Sequence, residues 1–324
     1  MNDDSPHDER DLLVRGGLVL RDTAVDSRLE PLDIRISDGV IVELADRIET
    51  PPGREVEVLD VSGKLVIPGM INSHYHSHDT LAKGTLEEEP LEFWRLLALP
   101  PQFPPRTREE VKARTLIGAY ENLCSGMTTV QDMVTLFPFE PDHLDAVIEA
   151  YEEIGLRAVV GLQYADKKGI TTIPYWEDVF PSELHGGLST AAEPDKKNDQ
   201  LAYLEATYLG ESLEVGYKGD VVALDLADPS FVPLNSPVRQ LVYAESGRAV
   251  TDVVVDGRVV IKDRALRTMS RDALVEQVNE LAPKYMADFR AVKERTEKLR
   301  PYLLEAHRRT WSADVGLNRM FTGE

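Results

Sequence analysis

The 324-residue sequence has a single cysteine, Cys124, so no internal disulfide can form, and a reducing, cytosolic setting fits best. No stretch of 18 apolar residues occurs, which argues against a membrane-spanning helix. Met1 to Arg10 are polar and acidic and lack the basic end and apolar run of a secretory signal. Positive charge is scarce: 36 Lys and Arg stand against 57 Asp and Glu, a formal net charge of −21. A surface that negative repels phosphate backbones, so nucleic acid is not an expected partner. Apolar residues, by contrast, make up 42% of the chain, enough to bury a sizeable core. The length suggests two domains or one large barrel.

The two ends of the chain read as β structure. Ile34 to Glu43 places β-branched runs on either side of Asp38-Gly39, the dipeptide a tight type I′ hairpin prefers. Val253 to Ile261 repeats the device around Asp256-Gly257. Leu12 to Leu20, broken by Gly16-Gly17, reads as a further hairpin, and Asp220 to Leu226 as one more strand. Isolated hairpins are marginal in water and need a partner sheet. The economical expectation is one small sandwich built from both ends, with the middle inserted into it.

The middle alternates strand and helix, which argues for a parallel sheet covered by helices. Leu65 to Asn72 opens it. Thr107 starts a helix with Glu110 in capping-box position, and Gly126 can close it. Met127 to Met133 is the next strand, Pro141 suits a first helical position, Gly155 ends that helix, and Arg157 to Gln163 is a third strand. From about Asp166 to Gln200 no periodicity is evident, and Leu201 to Gly210 reads as a short helical piece. Ser270 to about Arg309 is helical by spacing, and Pro283 and Pro301 should kink or break it.

The chemically loaded segment is Pro68-Gly69-Met70-Ile71-Asn72-Ser73-His74-Tyr75-His76-Ser77-His78-Asp79. In an extended chain, residues two apart share a side, so His74, His76 and His78 can face one spot. Neutral imidazole is a common zinc ligand, and a catalytic zinc usually takes three protein ligands plus an open position. His74, His76 and Asp132 all fall at C-terminal strand ends, where barrel enzymes carry their functional groups.

The string Val66-Ile67-Pro68-Gly69-Met70-Ile71-Asn72-Ser73-His74-Tyr75-His76 resembles the first metal-binding strand of the amidohydrolase superfamily. Leu81-Ala82-Lys83-Gly84, Cys124 to Met133, Gly155-Leu156-Arg157-Ala158 and Ser212 to Val222 are similar to its deaminase and chlorohydrolase branch. The resemblance implies a (β/α)8 barrel joined to a sandwich, and one divalent metal, zinc or iron, that activates water against a carbon–nitrogen or carbon–chlorine bond. His74 and His76 match the family's first metal ligands. No match is found for its later histidines, its acid/base glutamate or its strand-eight aspartate, so no catalytic residue is assigned. His143, His185 and His307 read as surface residues. The 149 residues from Val66 to Glu214 are also short for a barrel that takes about 250.

The expectation is therefore an α/β chain with a partial β/α barrel inserted into a small β-sandwich and followed by a C-terminal helix. The divisions are 1–65 with 211–268 for the sandwich, 66–210 for the truncated barrel and 269–324 for the helical segment. The expected activity is metal-dependent hydrolysis of C–N bonds in a small heterocyclic or amidine-type substrate. Homo-oligomerisation is left open. The competing readings are a catalytically inactive scaffold or dimer partner, and a site rebuilt from His74, His76, His78 and His185.

Overall fold

The computed structural model describes residues 11–21, 28–50, 52–86, 89–98, 103–162, 173–189 and 215–312. Five strands precede the histidine segment: β1 (Asp11–Val19), β2 (Glu30–Ser37), β3 (Val40–Ala45), β4 (Val56–Asp60) and β5 (Lys64–Pro68). Four more follow late in the chain: β9 (Val221–Asp225), β10 (Val250–Val255), β11 (Arg258–Lys262) and β12 (Ala265–Leu266). All nine form one sheet in the order β12-β11-β10-β9-β5-β1-β2-β3, with β4 pairing β1. The two chain ends meet where β5 runs antiparallel to β9, Lys64 opposite Asp225 and Pro68 opposite Val221.

Both Asp-Gly turns adopt the backbone that the hairpin needs. Asp38 and Gly39 have φ of 50° and 71°, and Asp256 and Gly257 have 52° and 76°. The expected hairpin at Gly16-Gly17 does not form. Leu12 to Val19 lies within the single strand β1, whose pairing with β2 slips between Val14 and Gly17. Gly16 takes φ of 79° and donates its N–H to Asp33 Oδ1 at 2.9 Å, so the glycines make a bulge rather than a reversal.

The stretch read as one strand from Leu65 to Asn72 is two, separated by Gly69. β5 belongs to the large sheet, and β6 (Met70–Tyr75) begins a second sheet with β7 (Met127–Val134) and β8 (Arg157–Leu162), parallel in the order β6-β7-β8. That sheet is not closed, and among the described residues no strand pairs with the outer edge of β6 or of β8.

Helix α1 (Leu91–Ala98) follows β6, then α2 (Arg108–Cys124), which Thr107 caps by accepting the Glu110 N–H at 3.2 Å. α3 (Pro141–Ile154) ends in Gly155 at φ 80°. α2 and α3 lie side by side, and Leu116, Leu123, Leu144, Val147, Tyr151 and Ile154 bury one common core with Val130 and Val134 of β7. The unpatterned stretch is partly helical: α4 (Trp176–Val179) and α5 (Ser182–Ser189) lie within it. The piece from Leu201 to Gly210 falls outside the described residues.

After α6 (Pro237–Tyr243) and the last strands, α7 (Arg271–Glu297) runs unbroken through Pro283. The expected break comes at Lys298, and Pro301 sits at the start of α8 (Arg300–Ser312), where a missing N–H costs nothing. Tyr285, Phe289 and Val292 of α7 pack with Leu303 and Ala306 of α8 against Phe93 and Leu97 of α1. Among the described residues no helix is long and apolar enough to cross a membrane.

Candidate metal centre

Gly69 allows the histidine segment to leave the large sheet. A Cβ at this position would overlap Thr128 Oγ1 and sit 2.8 Å from Thr128 Cβ. Its N–H donates to the Asp220 carbonyl at 3.0 Å, and Met70 N–H to the Gly126 carbonyl at 3.1 Å. The chain thus passes directly from the central strand of one sheet to the first strand of the other. Beyond the end of β6, Ser77 to Ala82 form a 3-10 turn that buries Ser77, His78 and Thr80.

His74 and His76 emerge on the same side, as the spacing of two requires, with ring centroids 4.9 Å apart and planes at 88°. His74 is exposed and His76 half-buried. His76 Nδ1 lies 2.9 Å from the Met133 carbonyl. A carbonyl only accepts, so Nδ1 carries the proton and Nε2 keeps a free lone pair. A ring hydrogen-bonded in this way through its far nitrogen is the usual arrangement of a metal-ligating histidine.

His78 is built differently. It is 4% exposed, its Nδ1 accepts the Thr135 N–H at 3.2 Å, and its Nε2 faces Asp79 Oδ1 at 3.3 Å. Burial holds its pKa well below the ordinary histidine value, helped by the charges of Arg114 and His76. The His78 Nδ1 is thus engaged by the chain and the ring is buried in the turn, unlike the exposed His74. Among the described residues no group of three or more His, Cys, Asp and Glu side chains converges to hold a metal. His74 and His76 therefore fit two positions of a metal site, while the described residues supply no third.

His185 does not join them. Its Nε2 bonds to the Phe180 carbonyl at 2.8 Å, and its ring stands 4.9 Å from Trp176, which removes the rebuilt four-histidine site. His143 and His307, like His185, are half-buried rather than fully exposed.

Behind the pair lies a buried polar set. Asp132 of β7 is 0% exposed; its Oδ1 accepts the Ser77 N–H at 2.9 Å and its Oδ2 the Tyr151 hydroxyl at 2.8 Å. Burial raises its pKa against the lowering effect of these bonds and of Arg114. Burial also pushes the Asp79 carboxyl up to about 6, opposed by the His76 and Arg114 charges. Arg114 itself is fully enclosed by α2 and its neighbours, and its pKa is lowered by burial. Asp132 was placed at a strand end by its sequence position. Nothing in the sequence pointed to Tyr151 or Arg114, which occupy ordinary helix positions.

Residues 65–205 match the profile of the amidohydrolase family. The 5-methylthioadenosine/S-adenosylhomocysteine deaminase of Pyrococcus furiosus is 36% identical over 134 residues, covering 41% of this chain and 30% of the relative. The protein of the same name from Haloarcula marismortui is 31% identical over 193 residues, 58% of this chain and 40% of the relative. The chain thus spans about a third of the length of several curated relatives it matches, and 52% of one from Haloquadratum walsbyi at 26% identity. Among solved structures, the atrazine chlorohydrolase of Arthrobacter aurescens TC1 complexed with zinc superposes with a TM-score of 0.59 at 14% identity, covering 84% of this chain and 100% of the other. A zinc-bound adenosine deaminase from Xanthomonas campestris gives 0.58 at 18%, covering 89% and 99%. At these identities the structures speak for the fold alone.

Fold and site together define a mixed α/β protein with two histidines side by side at the tip of a strand. Residues 65–205 carry the likeness to the amidohydrolase family, and the curated relatives that share it are named as deaminases.

Proposed function

We propose that this chain serves metal-dependent hydrolysis of a C–N bond in a small heterocycle, with His74 and His76 as ligands of a single divalent cation, zinc in the first instance. The observation that carries the reading is His76: its Nδ1 proton is committed to Met133, and its free Nε2 shares a strand side with the exposed His74. The deaminase names of the relatives support an aminopurine nucleoside as substrate class. The three parallel strands β6, β7 and β8 are then the opening of a β/α barrel, and the large sheet is its companion sandwich.

When bound, the cation supplies Lewis acidity that polarises water for attack on the amino-bearing carbon. The chain's own part is to present two oriented imidazoles at the strand tip and to hold His76 in one tautomer. At least one more donor is required, and among the described residues none is placed for it.

The test is equilibrium zinc loading of the purified chain, with ammonia release from 5′-methylthioadenosine, S-adenosylhomocysteine and an aminotriazine. The expected result is one zinc per chain, lost in His74→Ala and His76→Ala, with turnover of at least one of these compounds. Zinc binding that survives both substitutions, or no turnover by the fully loaded chain, overturns the proposal.

A further inference from the structure

The histidine segment is gripped from one side by one strand end. Met133 O holds His76 Nδ1 at 2.9 Å, Asp132 Oδ1 holds Ser77 N–H at 2.9 Å, and Thr135 N–H reaches His78 Nδ1 at 3.2 Å. Three consecutive residues, 76 to 78, are thus tied to three positions within four residues of chain. Two of these ties use backbone groups of the 132–135 segment, which side-chain substitution leaves in place. The third uses the carboxylate of Asp132, a residue with no exposed surface and no place among the ligands. Its other oxygen is taken by Tyr151 of α3.

We infer that Asp132, itself held by Tyr151, is a positioning residue that fixes the ring of His76 in its metal-ready tautomer and direction. The inference rests on the proposed metal site. Ser77 follows His76 directly, so the bond from its N–H to Asp132 sets where the His76 backbone ends and how far its ring stands from the Met133 carbonyl. A buried N–H seeks an acceptor. Once Asp132 is gone, the Ser77 N–H must move toward another partner, and His76 moves with it. Tyr151 makes the aim of the carboxylate unique: with its hydroxyl on Oδ2, Oδ1 has one direction left, toward Ser77. The chain of contact runs from α3 through β7 to the turn, so a helix that touches neither metal nor substrate settles the orientation of a ligand. Outer partners of this kind typically change metal affinity by about 10- to 100-fold when removed.

The test uses three full-length variants and two readouts. Asp132→Leu removes both bonds. Tyr151→Phe removes only the hydroxyl and keeps the ring. Asp132→Asn retains an acceptor for Ser77 and can reverse its bond to Tyr151. The first readout, made on metal-free protein, is the 15N signature of the His76 ring: one proton on Nδ1 in the wild type and Asp132→Asn, and a mixture of tautomers in Asp132→Leu. The second is zinc affinity by chelator competition: a loss of about 10- to 100-fold in Asp132→Leu, a smaller loss in Tyr151→Phe, and little change in Asp132→Asn. Should Asp132→Leu fail to fold, Tyr151→Phe carries the comparison. A His76 ring that keeps its tautomer, with zinc affinity unchanged in the folded variants, overturns the inference. A wild type that binds no zinc overturns the metal site instead, and the tautomer readout still decides whether Asp132 positions the ring.

Discussion

Replacing Arg157 with alanine should loosen the joint between the two sheets. Arg157 begins β8, and its guanidinium bonds to both oxygens of Asp220, through Nη1 to Oδ2 and through Nη2 to Oδ1 at 3.0 Å. The Asp220 side chain is 0% exposed and that of Arg157 27%. Asp220 Oδ1 also accepts the Asp256 N–H at 2.8 Å. Removing one partner of a buried ion pair costs about 3–5 kcal/mol, because a charge is left unmatched in a poorly solvated place. Here one N–H still reaches the carboxylate and the arginine is partly wet, so Arg157→Ala should cost about 2–3 kcal/mol. Urea unfolding at pH 7 measures this, read as a lower midpoint with an unchanged slope. In the double variant Arg157→Ala/Asp220→Asn the buried charge is absent, and the two costs should fall well short of adding. A loss below about 0.5 kcal/mol for Arg157→Ala, or strict additivity, would refute the claim that this pair joins the sheets.

Further outcomes can be checked on the same protein. Gly118→Ala places a Cβ on top of Tyr75 Oη and 2.8 Å from Thr80 Oγ1, so it should destabilise by about 1–3 kcal/mol and weaken zinc binding in calorimetry; an unaltered midpoint would count against the packing of α2 on the histidine turn. Asp79 has a folded-state pKa raised from 3.8 to about 6 by burial, so its ionisation opposes folding. Its contribution is most favourable below pH 4, declines as pH rises to about 6 and is flat beyond, a span of about 2–3 kcal/mol. Asp79→Asn should therefore gain on the wild type between pH 4 and 7, and a pH-independent difference in urea midpoints would contradict this. Pro283 is exposed inside α7, where it denies the helix one hydrogen bond. Pro283→Ala should raise the thermal midpoint, by an amount equivalent to about 1–3 kcal/mol, and a lower midpoint would show that the proline is needed for the shape of α7.

What could be read in advance was local. Asp38-Gly39 and Asp256-Gly257 state their turns because few other residues accept positive φ at both positions. Thr107 and Gly155 mark helix ends through single cap bonds, and Pro141 marks a start because its fixed φ suits the first turn and it has no N–H to leave unpaired. Gly16-Gly17 misled because positive φ serves a bulge as well as a hairpin, and the choice was made by Asp33, 17 residues away. Pro283 misled because the apolar contacts of Tyr285, Phe289 and Val292 outweigh one absent hydrogen bond. In the site, the spacing of His74 and His76 was sufficient to place two rings on one side. The anchoring of His78 depends on Thr135, the tautomer of His76 on Met133, and the grip on Ser77 on Asp132. All three come from another strand, and no periodicity within the histidine segment carries that information. Arg157 and Asp220 lay in motifs noted for family likeness, and their meaning as an ion pair emerged only in the fold, across a sequence separation of 63.

The position of β5 has a consequence for how the molecule is made. Its partners on the two sides are β1, synthesised early, and β9, synthesised more than 150 residues after β5. During translation the histidine turn and its helices can assemble on β6, β7 and β8 while Leu65, Val66 and Ile67 still present a bare hydrogen-bonding rim. Such a rim recruits strands from other nascent chains. The ribosome therefore delivers the histidine turn first and the closing strand last, and the yield of soluble protein should depend on how quickly Val221–Asp225 arrives to close the seam.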